Sequence, residues 1–598
     1  MKSREYIEHI YKWDFSNIFR NHEEIEKAIE AIKNDLEEIK SFEGTLSANS
    51  NMIKSLFIKL EETNKKFENL YFYIMATNHT DMLDNNINKK VQEINILANE
   101  FSIKTSYINP EILGIGKELV YSIFEKDEFL KNYLYPISKL FKNAEHTLNK
   151  DKEELLSYFS QTLGAFDEVY NNLTVADVSY PEVQLDSGEK IVVTGENLSS
   201  LLKKLENQKD REKVFTEFFD IYKKKENSFA SIYNGIVQRN LAESKARNYN
   251  NILESFLKGN NISNEVFENL IFTTKNMTEP LKKYINLRKE KLSLEEYHTF
   301  DRFLPLAESN KKYNYEEGKI LVKQAIAVMG EDYINNFDYL LEKGAVDVYA
   351  SKGKRGGAYS WGTYGTRPYI LLNYNDELND VFTLAHEMGH SMHSLYSNKT
   401  QPYATHDYTI FVAEVASTFN EHLLLDYLLK TVEDKNERIY ILQQAIDGLI
   451  ATFYRQTLFA EYEYKVHKMA EEGKPITAEI LNQIMENLYL DYYGIDIKKE
   501  YNKHSVWARI PHFFNSPFYV YQYATSYAAS SKLFNDLVGS NYSKEKIENI
   551  ISLLKSGGNN DPILQLKKAG ADLEDKNTVE AVSRKLALMV EELEKALN

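Results

Sequence analysis

Only 11 prolines interrupt a chain of 598 residues, and the stretches between them carry apolar side chains at helical spacing. From about residue 21 to 131 the pattern runs Ile25, Ala28, Ile29, Ile32, Leu36, Ile39 and then Ile53, Leu56, Phe57, Leu60. Steps of three and four residues put such side chains on one face of a helix, and polar faces between them make antiparallel helices of a bundle. So few helix breakers leave room for many long helices, and the fold class expected is mainly α. A single core cannot grow to this length, so two or more lobes around a cleft are expected.

Two regions break the helical pattern. Between Pro181 and Gly195 the run Val183 to Val193, with Asp186-Ser187-Gly188 at its centre, reads as a short hairpin. It suggests a boundary between an N-terminal helical lobe, 1–195, and the rest, 196–598. Between Ala345 and Tyr374, Val346-Asp347-Val348-Tyr349 and Arg367 to Asn373 read as strands. Glycines 353, 356, 357, 362 and 365 form a mobile loop between them. From about Glu377 to the end the pattern is helical again.

Composition excludes several chemistries. A net charge of −17 argues against nucleic acid as the main partner. With no cysteine, there is no disulfide, thiolate metal site or cysteine nucleophile, so any metal must be held by His, Asp or Glu. The first residues carry charges and no apolar core of signal-peptide length, and no later run is long enough to cross a bilayer. A cytoplasmic protein with no membrane partner is expected; the oligomeric state is not readable.

The segment Asp380 to His393 contains His386-Glu387-Met388-Gly389-His390. On a helix, four residues make little more than one turn, so both imidazoles leave one face and can share a metal ion. Asn379 or Asp380 is placed to cap that helix. Glu387 stands about 100° around the axis from His386, where it reaches a water on the metal without ligating. Open zinc sites take three protein ligands, so the third is expected from a separate element. A helix from Tyr408 to Leu429 offers Glu414 among apolar neighbours, where a carboxylate is costly unless paired or metal-bound. His393 is the alternative, but it lies about 10 Å along the axis from His386 on a straight helix. Glu421, two turns beyond Glu414, could orient a ligand imidazole through its other nitrogen.

These residues, with several further blocks, resemble the oligoendopeptidase F group of the thimet-oligopeptidase-like zinc peptidases. The blocks are Gly356-Gly357-Ala358-Tyr359-Ser360, Pro368 to Tyr374, Asp380 to His393, Phe411 to Glu421, and Arg455 to Glu461. Pro511-His512-Phe513-Phe514 and Phe518 to Thr525 complete the set. The resemblance implies a two-lobed helical, zincin-like fold with a deep channel admitting oligopeptides and a small β-sheet near the active site. It implies one Zn2+ held by His386, His390 and Glu414, with Glu387 as general base. It also implies that His512 and a tyrosine among Tyr519, Tyr521 and Tyr523 hydrogen-bond the substrate and the tetrahedral intermediate.

The function expected is hydrolysis of internal bonds in short, unstructured peptides. The strand ending at Asn373, with Tyr369 and Leu371, is expected to pair with an extended substrate backbone. The glycine loop, with Gly356, Gly357, Ala358 and Tyr359, is expected to close over the substrate. Two other classes fit the same chemistry: a catalytically inactive peptide-binding protein, and a helical zinc carboxypeptidase.

Overall fold

In a computed structural model, residues 3–47, 49–309, 311–500 and 503–598 are described. The chain is predominantly α-helical, with two small sheets. It divides into two compact units, each assembled from separate stretches of sequence. The first comprises Met1–Glu145, Lys311–Tyr427 and Asp536–Gly570; the second comprises His146–Asn310, Leu428–Asn535 and Ala571–Asn598. The hairpin at which a division was expected, β1 (Glu182–Gln184) paired antiparallel with β2 (Lys190–Val192), lies inside the second unit.

In the first unit, helices His22–Lys40, Ser50–Thr80 and Asn85–Thr105 pack on one another through the apolar positions seen in the sequence. Ile32, Leu36, Ile39, Ile53 and Leu56 are fully buried in one cluster. Asn21 caps the first helix, its side chain accepting from Glu24 N at 3.1 Å.

The second sheet also belongs to the first unit and has the order β3 (Val346–Tyr349), β5 (Tyr369–Tyr374), β4 (Tyr359–Trp361). Strand β3 runs parallel to β5, and β4 antiparallel to it with Tyr359 opposite Leu371 and Trp361 opposite Tyr369. The central strand β5 is a continuous apolar run because both of its faces are covered. Phe72 and Ala76 of helix Ser50–Thr80 pack with Tyr369 on one side, and helix Leu378–Thr400 packs against β4 and β5. Buried Asp347 on β3 is paired with Arg4 and, at 2.8 Å, with Lys354.

The glycine segment is not a free flap. Met82 N donates to Gly353 O (2.7 Å) and Arg355 N donates to His79 O (2.9 Å). Gly353 adopts φ +83°, a backbone conformation that favours glycine. The Lys354 ammonium is buried and donates to the Leu372 carbonyl at 2.5 Å. Tied in this way, the loop does not fit the expectation of a mobile connection, and residues 359–361 inside it form an outer strand, β4.

In the second unit, the C-terminal helix Lys576–Leu597 packs against helices Asn264–Asn276, Glu279–Lys291 and Lys435–Leu449. A fully buried ion pair, Arg211 to Asp301 at 2.8 Å, ties helix Gln208–Lys223 to the short 3-10 turn Thr299–Phe303.

Candidate metal centre

The motif residues lie mid-way along helix Leu378–Thr400. Its N-cap is Glu377, not Asn379 or Asp380: Asp380 occupies the third helical position and accepts from Glu377 N at 3.0 Å, completing a capping box. The one-turn spacing of His386 and His390 brings their Nε2 atoms to 3.2 Å.

Glu414 comes from the neighbouring helix, Ile410–Thr431. Two small features bring that helix close. Gly389, inside the motif, faces the backbone of the second helix so closely that a Cβ there would lie 2.5 Å from Ala416 O and from Ser417 Cα. Buried Asn420 then bridges the pair, donating to Ala385 O (3.3 Å) and accepting from Tyr333 OH (2.9 Å). Glu414 Oε2 consequently stands 3.5 Å from His386 Nε2 and 3.9 Å from His390 Nε2.

One donor atom from each of His386, His390 and Glu414 therefore lies within 4.8 Å of the others. Ligands about 2.0–2.1 Å from a tetrahedrally held ion stand about 3.3–3.4 Å from one another, close to the separations found here. Each donor is also aimed by a further contact. His386 turns its Nδ1 to Glu421 Oε1 at 2.6 Å, leaving Nε2 for the centre. The Ala413 backbone lies beside the His390 ring and favours its protonated form. Ser417 Oγ donates to Glu414 Oε2 at 3.2 Å.

Three carboxylates around two imidazoles make the centre strongly receptive to a divalent cation. Burial disfavours charge on His386, yet Glu421, Glu387 and Glu414 outweigh it and raise its pKa to about 9. For His390, burial and the neighbouring His386 and His393 act together and hold it well below the ordinary value. The donor set therefore fits a metal ion with nitrogen and oxygen preference.

Glu387 is 6% exposed. Burial, then the nearby Glu414 and Glu421, push its pKa up to about 7 against the pull of His386 and a hydrogen bond from the Ser360 main chain. Its Oε2 is buried without a hydrogen-bond partner. A carboxylate held there at the edge of ionisation suits proton transfer near neutral pH.

His393, the alternative ligand, is not part of this group. It is buried, its ring stacks on Tyr408 with centroids 3.5 Å apart, and burial pushes its pKa down to about 3.

The substrate-facing expectations change more. Strand β5 is hydrogen-bonded on both sides, so it has no free edge, and Tyr369 and Leu371 are fully buried. The Asn373 amide donates to Arg355 O (3.0 Å) and Gly357 O (2.7 Å), holding the glycine segment in place. Of the two outer strands, β4 is the one beside the motif, its Ser360 main chain contacting Glu387 and its hydroxyl lying 2.8 Å from Ser391 Oγ on the motif helix. Gly356, Ala358 and Tyr359 line a cavity of about 300 Å3 with His79 and Arg355, and Gly357, between them, adopts φ +80°.

In the second unit, His512 is the second residue of the short helix Pro511–Asn515. Its ring centroid is 6.0 Å from Tyr519 and 6.2 Å from Tyr523, and those two rings meet edge to face at 5.4 Å. Tyr521 departs from this group: it is 1% exposed and packs against Phe267 at 5.4 Å.

Gly389, Ser417, Asn420 and Ser360 were not singled out from sequence. The signal available was a glycine within a helical motif facing the small residues Ala413, Ala416 and Ser417 of the next helix.

Comparison with known proteins agrees with the geometry. The family profile described as Peptidase family M3 matches residues 201–584, and the profile described as Oligopeptidase F matches residues 111–180. The chain is 34% identical to oligopeptidase PepF of Bacillus subtilis over 98% of its own length and 87% of the relative's. It is 35% identical to an oligoendopeptidase F homolog of Borreliella burgdorferi over the whole of both chains. The crystal structure of oligoendopeptidase-F from Enterococcus faecium, 27% identical, superposes with a TM-score of 0.73 over 96% of this chain and 99% of that one. With the family matched over most of the sequence, the chain belongs to peptidase family M3 and is a metallo-oligopeptidase of its oligoendopeptidase F group.

Proposed function

We propose that the protein is a zinc-dependent oligoendopeptidase, with one Zn2+ held by His386, His390 and Glu414 and with Glu387 as general base. The carrying observation is the convergence of three donor atoms within 4.8 Å beside a buried carboxylate oxygen that has no other partner. Held by these three residues, a zinc ion would supply Lewis acidity toward a water and the scissile carbonyl. Glu387 takes the water's proton at Oε2 and passes it to the leaving amine. Glu421 holds the tautomer of His386 that keeps Nε2 available.

An extended peptide adds to the outer edge of β4, where main-chain pairing tolerates many sequences. His512, with Tyr519 and Tyr523, donates hydrogen bonds to the substrate and to the oxyanion. Short, unstructured peptides are the substrates, and a cytoplasmic location accords with the fact that no helix among the described residues is long and apolar enough to cross a membrane.

The test is a quenched peptide blocked at both ends, incubated with protein of known metal content. Cleavage that is lost on chelation and restored by stoichiometric zinc supports the reading. Cleavage indifferent to chelator refutes the metal assignment, and release of C-terminal residues only, from unblocked peptides, refutes endopeptidase action.

A further inference from the structure

The second compact unit encloses a cavity of about 430 Å3 whose charge runs against that of the chain. In a protein of net charge −17, its wall carries Lys203, Arg302, Arg455, Lys503 and Arg509, and only one carboxylate, Asp447. That carboxylate is already engaged, accepting from Tyr284 OH (2.8 Å) and Gln443 Nε2 (3.3 Å).

Neither of the two deepest cations has an ion pair among the described residues. Lys503 is 8% exposed and its ammonium rests over the rings of Phe215 (5.1 Å), Phe219 (4.8 Å) and Tyr489 (5.5 Å). Among the described residues it has no ion pair. Glu500, on the same segment, spends its carboxylate on the backbone N and hydroxyl of Thr299. Arg455 Nε is buried with no hydrogen-bond partner. A π-turn at Ile450–Tyr454 immediately precedes Arg455, and Ile450, Ala451 and Arg455 all reach the wall. Such turns interrupt a regular helix and are found mostly where side chains are re-aimed for a function.

A ring beneath a cation is an ordinary resting place and accounts for Lys503, Arg302 and Arg509 singly. It does not account for their convergence, because each positive charge raises the cost of the others in a site sheltered from water. Lys503 shows this: burial, with Arg302, Arg509 and Arg455 adding to it, pushes its pKa down to about 7 despite Glu500. An anion in the cavity would supply the missing charge and the missing acceptors together. The cavity's size is in the range of small-molecule sites, and its floor is aromatic.

We propose that this cavity is a binding site for a small polyanion bearing phosphate or carboxylate groups, gripped by Arg455 and Lys503 in its depth and by Arg302 and Lys203 at its mouth.

The full-length protein is titrated calorimetrically, with and without chelator, using tripolyphosphate, ATP and citrate as separate probes. Saturable one-to-one binding of at least one probe is expected, unchanged by chelator and weakened by added salt. The preferred probe distinguishes phosphate from carboxylate recognition. Arg455→Gln and Lys503→Gln are each expected to weaken it about tenfold or more, since each removes a charge-assisted hydrogen bond. If either fails to fold, Arg302→Gln and Lys203→Gln at the mouth should still weaken binding. No saturation by any probe at millimolar concentration, or unchanged affinity in the folded variants, overturns the proposal. Because binding is read without turnover and without metal, either result leaves the peptidase reading intact.

Discussion

Gly389→Ala tests whether the close approach of two helices is what builds the metal centre. The added Cβ would meet Ala416 O and Ser417 Cα at 2.5 Å and Ala416 C at 2.8 Å, all of them backbone atoms that cannot rotate away. Carbon contacts settle at about 3.5–4.0 Å, so helix Ile410–Thr431 must retreat by on the order of 1 Å. Glu414 and its hydrogen-bond partner Ser417 ride on that helix. A misplacement of this size costs roughly 100-fold in turnover when it moves a catalytic group. For stability, overpacking of about 1–3 kcal/mol competes with the roughly 1 kcal/mol that alanine gains over glycine within a helix.

Gly448→Ala is the internal control, because Gly448 is an exposed helical glycine with nothing within 4 Å of its would-be Cβ. It is expected to gain about 0.5–1 kcal/mol and keep full activity. Zinc affinity by chelator competition, kcat/KM on a quenched peptide and thermal unfolding of the metal-free proteins give the three readouts. If Gly389→Ala binds zinc as tightly as the parent and gains stability like Gly448→Ala, the account of the helix contact is wrong.

Glu387→Gln should bind zinc normally and lose about 10²- to 10⁴-fold in kcat; near-normal turnover would remove it as the base. Glu421→Ala should lower zinc affinity about 10- to 100-fold by freeing His386 Nδ1, with a smaller effect from Glu421→Gln, as chelator competition would report. Tyr519→Phe and Tyr523→Phe should lower kcat/KM, while Tyr521→Phe should leave it near the parent value. Equal effects from all three would contradict the division between the His512 group and the core.

What sequence could reveal depended on the range of the contact. The histidine pair was legible because one turn of helix suffices to join them, and Glu414 because an isolated carboxylate on an apolar face needs a reason. Strand β4 was not, since three residues bounded by glycines carry no period, and only its pairing to β5 identifies it. That omission led to β5, which is paired on both sides, being offered to the substrate. The three tyrosines could not be told apart for a related reason: the helix begins at Tyr521, which sets Tyr521 and Tyr523 about 200° apart and leaves Tyr519 before it. The compact units were hidden because each is assembled from three separate stretches of the chain.

The way the donors are held also bears on how metal and folding are linked. In small zinc domains the ligands are gathered by the ion itself, so binding energy is folding energy. Here His386 is fixed by Glu421, Glu414 by Ser417, and the two helices by Gly389 and Asn420. All of these are interactions within the chain, and most of the first unit's buried surface lies outside the centre. The metal-free protein should therefore stay folded, with native far-ultraviolet dichroism. Added zinc should raise Tm by mass action, by about 4 kcal/mol of stabilisation at a thousandfold excess over Kd. Loss of helical dichroism on chelation alone would show instead that the ion assembles the centre, and that the carboxylate and amide contacts around it follow from metal binding.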